Sequence, residues 1–267
     1  MDNSRWHPTR LIRASVVLHL LALVVVIAEP GQWRWALGAV LANHGLLTAV
    51  GLWPRSHWLG PNWTQLPAAA VSGNKIALTV DDGPDPSVTP QVLDMLDRHA
   101  VLATFFCIGE RAARYPDLCR EIVRRGHAVE NHTQHHRHHF ALMGRSGFMR
   151  ELQAAQQTLT AITGQRPLFF RAPAGLRNPF LDPVLARLGL RLASWSGRGF
   201  DTRIGDVERV KKRLLRGLRA GAILLLHDGN AARTSDGIPV ILEVLPAVLG
   251  AARAADLRFV TLRQALS

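Results

Sequence analysis

The chain of 267 residues carries 32 Lys or Arg against 20 Asp or Glu, a formal charge of +12, and has two cysteines. Cys107 sits in the apolar stretch ATFFCIG and Cys119 in the helix-like PDLCREIVRR, so each reads as a small core residue rather than a ligand or half of a bridge, and no disulfide framework is implied. At about 100 to 200 residues per domain, the length fits one sizeable domain plus an extra segment.

That segment is the amino terminus. Residues 14–28 and 35–53 contain no charge, and between them lies EPGQWR, with Pro30 and Gly31 as turn formers. Two helices forming a membrane hairpin are the preferred reading, placing the domain boundary at 1–66 against 67–267. A secretory leader is the first alternative, although no convincing small-x-small cleavage site follows. A buried helical pair is the second, supported by Asn43, His44 and Thr48. Arg5, Arg10 and Arg13 precede the first apolar run and Arg55 follows the second. The excess of basic residues on those flanks places both ends in the cytoplasm, and with them a cytoplasm-facing domain at a bacterial inner membrane. Residues 67–267 keep a charge of +9. Such a charge suits anionic headgroups or a phosphate-linked glycan, or reflects the arginine-rich composition of a high-GC genome. Its dispersal, without an aromatic-basic platform, argues against nucleic acid.

Beyond residue 67 strands and helices alternate. IALTV (Ile76 to Val80) reads as a buried strand ending in a sharp turn at Gly83 and Pro84. Thr89 and Pro90 look like a helix cap and first turn, followed by the strand VLATFFCIG, a helix from Tyr115 to Arg125 and the short strand HAVEN. Next come a helix over 147–163, a strand from Leu168 to Phe170, a helix from Asn178 and a strand from Leu190 to Trp195. A helix from Asp206 to Arg219, a strand ending at His227, a helix over 238–253 and a final strand LRFVTL complete the chain.

The residues able to do chemistry fall at or just after strand ends. Asp81 and Asp82 end the first strand, so one carboxylate can ligate a metal while the other accepts a proton from water. His132 and His136, in NHTQHH, stand four apart and present both imidazoles on one side of a turn. Two imidazoles and one carboxylate make a three-ligand set that catalytic zinc uses; Co2+, Ni2+ and Fe2+ also accept it. The bland reading makes the aspartates a solvated turn and the six histidines of residues 127–139 a surface tract, with His135, His138 and His139 solvated. Arg171, in RAPAG, can hold an aspartate ionised. His227, in LLLHDG, suits a general acid, and Asp201, in SWSGRGFD, can orient it. The same three-ligand set also suits non-haem iron oxygenases, but dioxygen chemistry requires neither a spare Asp81 nor a His227 acid.

The ordered motifs TVDDGP, NHTQHH, RAPAG, SWSGRGFD and LLLHDG resemble the NodB-type polysaccharide deacetylases, carbohydrate esterase family four, over residues 74 to 264. The resemblance implies an α/β fold, a distorted (β/α) barrel of the NodB type, here preceded by the helical hairpin. It implies Asp81 as base, Asp82, His132 and His136 as metal ligands, His227 as acid, Arg171 tethering Asp81 and Asp201 orienting His227. It also implies Ala174 as a backbone donor to the oxyanion, where the family usually carries an aromatic residue. In the fourth motif Arg198 occupies an acidic position and Thr202 the Trp position, which bears on substrate more than on reaction. The expected activity is hydrolysis of an N-acyl, in the first place acetyl, group on an amino sugar of a polymeric or lipid-linked glycan. A deformylase of a lipid-linked amino sugar and an inactive, membrane-anchored carbohydrate-binding domain are the alternatives. No oligomeric state is implied.

Overall fold

The computed structural model describes residues 6–266; Arg5, one of the arginines ahead of the first apolar run, lies outside them. Helices α1 (Arg10–Ala28) and α2 (Trp33–Gly51) are joined by a 3-10 turn at Pro30–Gln32, where proline cannot continue the hydrogen-bond ladder of α1. They fold back on each other and bring polar groups together: buried Asn43 Nδ2 donates to buried Ser15 Oγ at 2.8 Å, and half-buried His19 meets exposed His44 through Nε2 at 3.2 Å. Their outer faces leave Val17, Leu21, Val24 and Leu41 exposed. By length and composition α1 alone among the described residues reaches the apolarity of a membrane span. The second apolar run forms a helix of the same 19 residues but falls short of it, because α2 contains Arg34, Asn43 and His44.

After α3 (Ala68–Ser72) the chain alternates: β1 (Lys75–Asp81), α4 (Thr89–Arg98), β2 (Thr104–Cys107), α5 (Gly109–Arg114), α6 (Pro116–Arg124) and β3 (Ala128–Asn131). There follow α7 (Arg145–Thr163), β4 (Phe169–Phe170), α8 (Leu181–Leu188), β5 (Arg191–Leu192), β6 (Gly197–Arg198), α9 (Val207–Arg216), β7 (Ile223–His227), α10 (Val240–Ala254) and β8 (Arg258–Phe259). All strand pairs are parallel, in the order β5-β4-β3-β2-β1-β7-β6, with β8 beside the start of β1. The two edge strands are consecutive in the chain, so residues 193–196 run across the gap and bring the sheet close to a barrel. Trp63 lies in that gap, accepting from Ser194 N and donating to Leu192 O.

Side-chain alternation along the strands then decides the chemistry. Ile76, Leu78 and Val80 of β1 pack outward with Phe105, Leu224 and Leu226 against α4, α9 and α10. Ala77, Phe106, Phe169 and Ile223 pack together on the opposite, interior face. The period of two carries that interior face on to Thr79 and Asp81 in β1, to Arg171 after β4 and to His227 in β7.

Several local expectations are corrected. Thr89 does not cap α4: Val88 is the cap, and the Thr89 hydroxyl accepts from Asp85 N and donates to the buried Asp228. The helix expected from Asn178 starts at Leu181, because Asn178 turns its side chain to Phe180 N and to the carbonyls of Ala141 and Met143. The strand expected to reach Trp195 stops at Leu192, where the chain crosses to Trp63. Helix α5 and strand β6 were not anticipated; six and two residues are too short for a period to show.

Candidate active site

Asp81, Asp82, His132, His136, Arg171, Asp201 and His227 all lie at or just beyond strand carboxyl ends, the end where a parallel barrel gathers its loops. Asp82, reached by a left-handed turn (φ 72°), points Oδ1 at two imidazoles: His132 Nε2 at 3.1 Å and His136 Nε2 at 3.3 Å. The three ligand atoms all lie within 4.8 Å of one another. His132 Nδ1 faces the Arg171 carbonyl at 2.9 Å, and a carbonyl only accepts, so that nitrogen carries a proton. In the neutral ring Nε2 then aims a lone pair at a carboxylate oxygen. Two electron-rich atoms at that separation require a proton or a cation between them, and an outward Nδ1–H to a carbonyl is the support that ligating histidines have. Burial, with the charge of His132 added, lowers His136 to about 4, which leaves it neutral and free to donate a lone pair. Burial alone would raise Asp82, but the hydrogen bond to His132 and the charges of His132, His227 and His136 outweigh it and hold the carboxyl well below its usual range. The donor set therefore fits a divalent cation.

Asp81 is buried beside this cluster. Arg171 Nη1 donates to its Oδ1 at 2.7 Å, while Oδ2 stays 4.0 Å from His132 Nε2. Arg171 is itself fully buried: Nη1 also donates to Thr79 Oγ1, Nε to Ala193 O and Nη2 to Ser194 O, and the guanidinium stacks on Phe106 at 4.2 Å. Across the mouth, Asp201 Oδ1 takes His227 Nδ1 at 3.0 Å and Oδ2 takes the His227 backbone N–H at 2.7 Å. Burial would lower His227, but the charge and hydrogen bond of Asp201, with the charges of Asp81 and Asp82 added, raise it to about 9. An NMR titration of the metal-free protein is expected to place this imidazole near that value, and Asp201→Asn to bring it down. The sign follows: a histidine raised above its ordinary value of 6.5 adds stability that is complete below pH 6.5 and lost as pH rises through about 9.

Ala174 takes the left-handed conformation (φ 53°) in the loop after β4. Six of the nine non-glycine residues with positive φ among the described residues (Asp82, Thr133, His136, Ala174, Phe200 and Asn230) lie in these strand-end loops, where strained backbone marks functional sites. His135 is not simply solvated: its Nδ1 meets Glu151 Oε1 at 2.9 Å. Arg198 lies between Trp195 and Phe200, 5.0 and 4.8 Å from their ring centres, with its Nε buried and unpartnered.

Sequence reasoning missed the supports of Asp82. Asn230 Nδ2 donates to Asp82 Oδ2 at 3.1 Å, and Arg111 donates to both the Asp82 carbonyl and Asn230 Oδ1. Asn230 directly follows the LLLHDG motif and could have been suspected; nothing local marks Arg111. Gly83 is required beside them, because a Cβ there would stand 2.4 Å from the Asp228 carboxylate.

A family model described as polysaccharide deacetylase matches residues 68–193, which include Asp81, Asp82, His132, His136, Arg171 and Ala174. A chitooligosaccharide deacetylase of Azorhizobium caulinodans is 41% identical over 167 residues, 61% of this chain and 78% of that protein. A peptidoglycan-N-acetylglucosamine deacetylase of Bacillus cereus is 32% identical over 203 residues, 72% of this chain and 87% of that protein. Among solved structures, the Bc1960 peptidoglycan N-acetylglucosamine deacetylase superposes with a TM-score of 0.68 at 25% identity, over 76% of this chain and 91% of its own. The chain belongs to the polysaccharide deacetylase family and has its parallel, incompletely closed barrel. It is a hydrolase of carbon–nitrogen bonds other than peptide bonds.

Proposed function

We propose that this protein is a metal-dependent N-deacetylase of N-acetylated amino sugars in a glycan, with residues 67–267 as the catalytic domain and residues 1–66 as its membrane anchor at the bacterial inner membrane. The observation that carries the reading is the meeting of Asp82, His132 and His136 beside two held groups, Asp81 and His227. Asp82, His132 and His136 would hold a divalent ion, Zn2+ first, which supplies Lewis acidity toward water and the acyl oxygen. Asp81, fixed through one oxygen by Arg171, takes the proton of the attacking water on the other. His227, whose Nδ1 is occupied by Asp201, has Nε2 left to protonate the departing nitrogen. The backbone N–H of Ala174 serves the oxyanion. The C–N bond breaks, the water oxygen joins the acyl carbon, and acetate and a free amine result.

The names of the relatives favour acetyl over the formyl alternative. The presence of base, acid and all three ligands weighs against an inactive carbohydrate-binding domain. Acetate release from N-acetylglucosamine oligomers tests the reading. Chelation is expected to lower it roughly a hundredfold or more and added Zn2+ to restore it. Release that is indifferent to chelator would remove the metal from the proposal.

A further inference from the structure

We infer that the active-site mouth rests on the membrane surface, so that the amino sugar reaches it on a lipid carrier; this rests on the deacetylase reading above. The root of the hairpin is built onto the loops of the mouth. Pro54 accepts from Ser194 Oγ at 2.7 Å and, together with Trp195, packs so closely on Gly175, next to Ala174, that a Cβ there would stand 2.6 Å from the Pro54 ring. Buried Arg177, at the end of the same loop, donates to Ser56 O and, through its backbone, to Gly51 O. Trp6 Nε1 reaches Asp182 at 2.7 Å, and Asn178 ties this region to the turn at Ala141 and Met143. The helices therefore leave the domain from its catalytic end.

Tryptophans stand exposed at both ends of the hairpin, Trp6, Trp53 and Trp58 at the root and Trp33 and Trp35 at the turn. Nineteen helical residues separate the two groups, about 28 Å, the thickness of a hydrocarbon core, and tryptophan collects at its two borders. Six large hydrophobic side chains are exposed among described residues 67–266. Four of them lie in loops that follow strand carboxyl ends: Leu142 (86% exposed), Phe180 (55%), Phe200 (39%) and Ile238 (38%). Exposed Arg137, Arg203 and Arg233 accompany them in the same loops. Apolar tips among cations, continuous with the root of an apolar hairpin, are the chemistry of a surface that meets anionic headgroups.

The test uses the full chain in nanodiscs of phosphatidylethanolamine and phosphatidylglycerol, roughly three to one. Nitroxides are attached at Leu142→Cys and Phe180→Cys, and at Gln165→Cys beyond the opposite, amino end of β4; Cys107 and Cys119 are buried. Nickel chelated to the headgroups is expected to relax the first two labels strongly and the third little. Equal relaxation of all three overturns the docking. In the same discs, acetate release from a chitooligosaccharide carrying an acyl tail should exceed release from the free sugar by about tenfold or more in kcat/KM, through confinement to the surface. Equal use of the two overturns the lipid-borne substrate. If neither sugar is hydrolysed while the labels still report docking, the deacetylase reading fails and the surface assignment stands.

Discussion

Asp81→Asn is expected to leave metal binding intact and to lower kcat by about 10²–10⁴-fold, the range set by removal of a general base. Asparagine keeps the volume and can still accept from Arg171 through Oδ1, so the geometry of the site is kept even though Arg171 loses its counter-charge; what disappears from the chemistry is the basic oxygen that faces the cluster. Asp82→Ala should behave differently, because it removes the oxygen shared by His132 and His136. Titration calorimetry with Zn2+ separates the two: binding persists in the first variant and is lost in the second. Retention of more than about a tenth of wild-type turnover by Asp81→Asn would end the assignment of the base.

The second large effect concerns Arg171, whose charge is buried with that of Asp81. Arg171→Met is expected to cost about 3–5 kcal/mol of folding stability, since it leaves a carboxylate desolvated and unpaired. It also strips a donor from the carbonyls of Ala193 and Ser194, which lie in the segment that crosses the barrel gap. Denaturant unfolding of the two single variants and of the Arg171→Met/Asp81→Asn pair forms a double-mutant cycle. If unpaired charge is the cause, adding Asp81→Asn to Arg171→Met recovers a large part of the loss. Strict additivity of the two losses would show that Arg171 acts through packing and its carbonyl partners alone.

The same two groups show how far the linear chain could be read. Asp81 and Asp82 were legible because a β-branched apolar run, two carboxylates, glycine and proline follow one another within nine residues, and each has a local meaning. His132 and His136 were legible by spacing and Arg171 by its place after an apolar pair. The adaptation of Thr89 was not, because a hydroxyl before proline at a helix start looks like a cap whatever lies opposite, and here a buried carboxylate does. Nor do the two uncharged runs by themselves separate a membrane hairpin from a buried helical pair. Their polar groups, Ser15, His19, Asn43 and His44, satisfy one another only once the helices are paired.

The chain by itself determined the alternation of strands and helices, which residues are proposed as ligands, base and acid, and the apolar character of the amino terminus, since all of these are written in residues near one another and in periods of two or about four. Only the tertiary structure decided that Arg111 and Asn230 hold Asp82, that Trp63 lies in the gap of the barrel, and that the hairpin is rooted beside Ala174. Those relations join residues about 30 to 150 positions apart, and such pairs are selected by the register and closure of a parallel sheet, which no local stretch of sequence encodes.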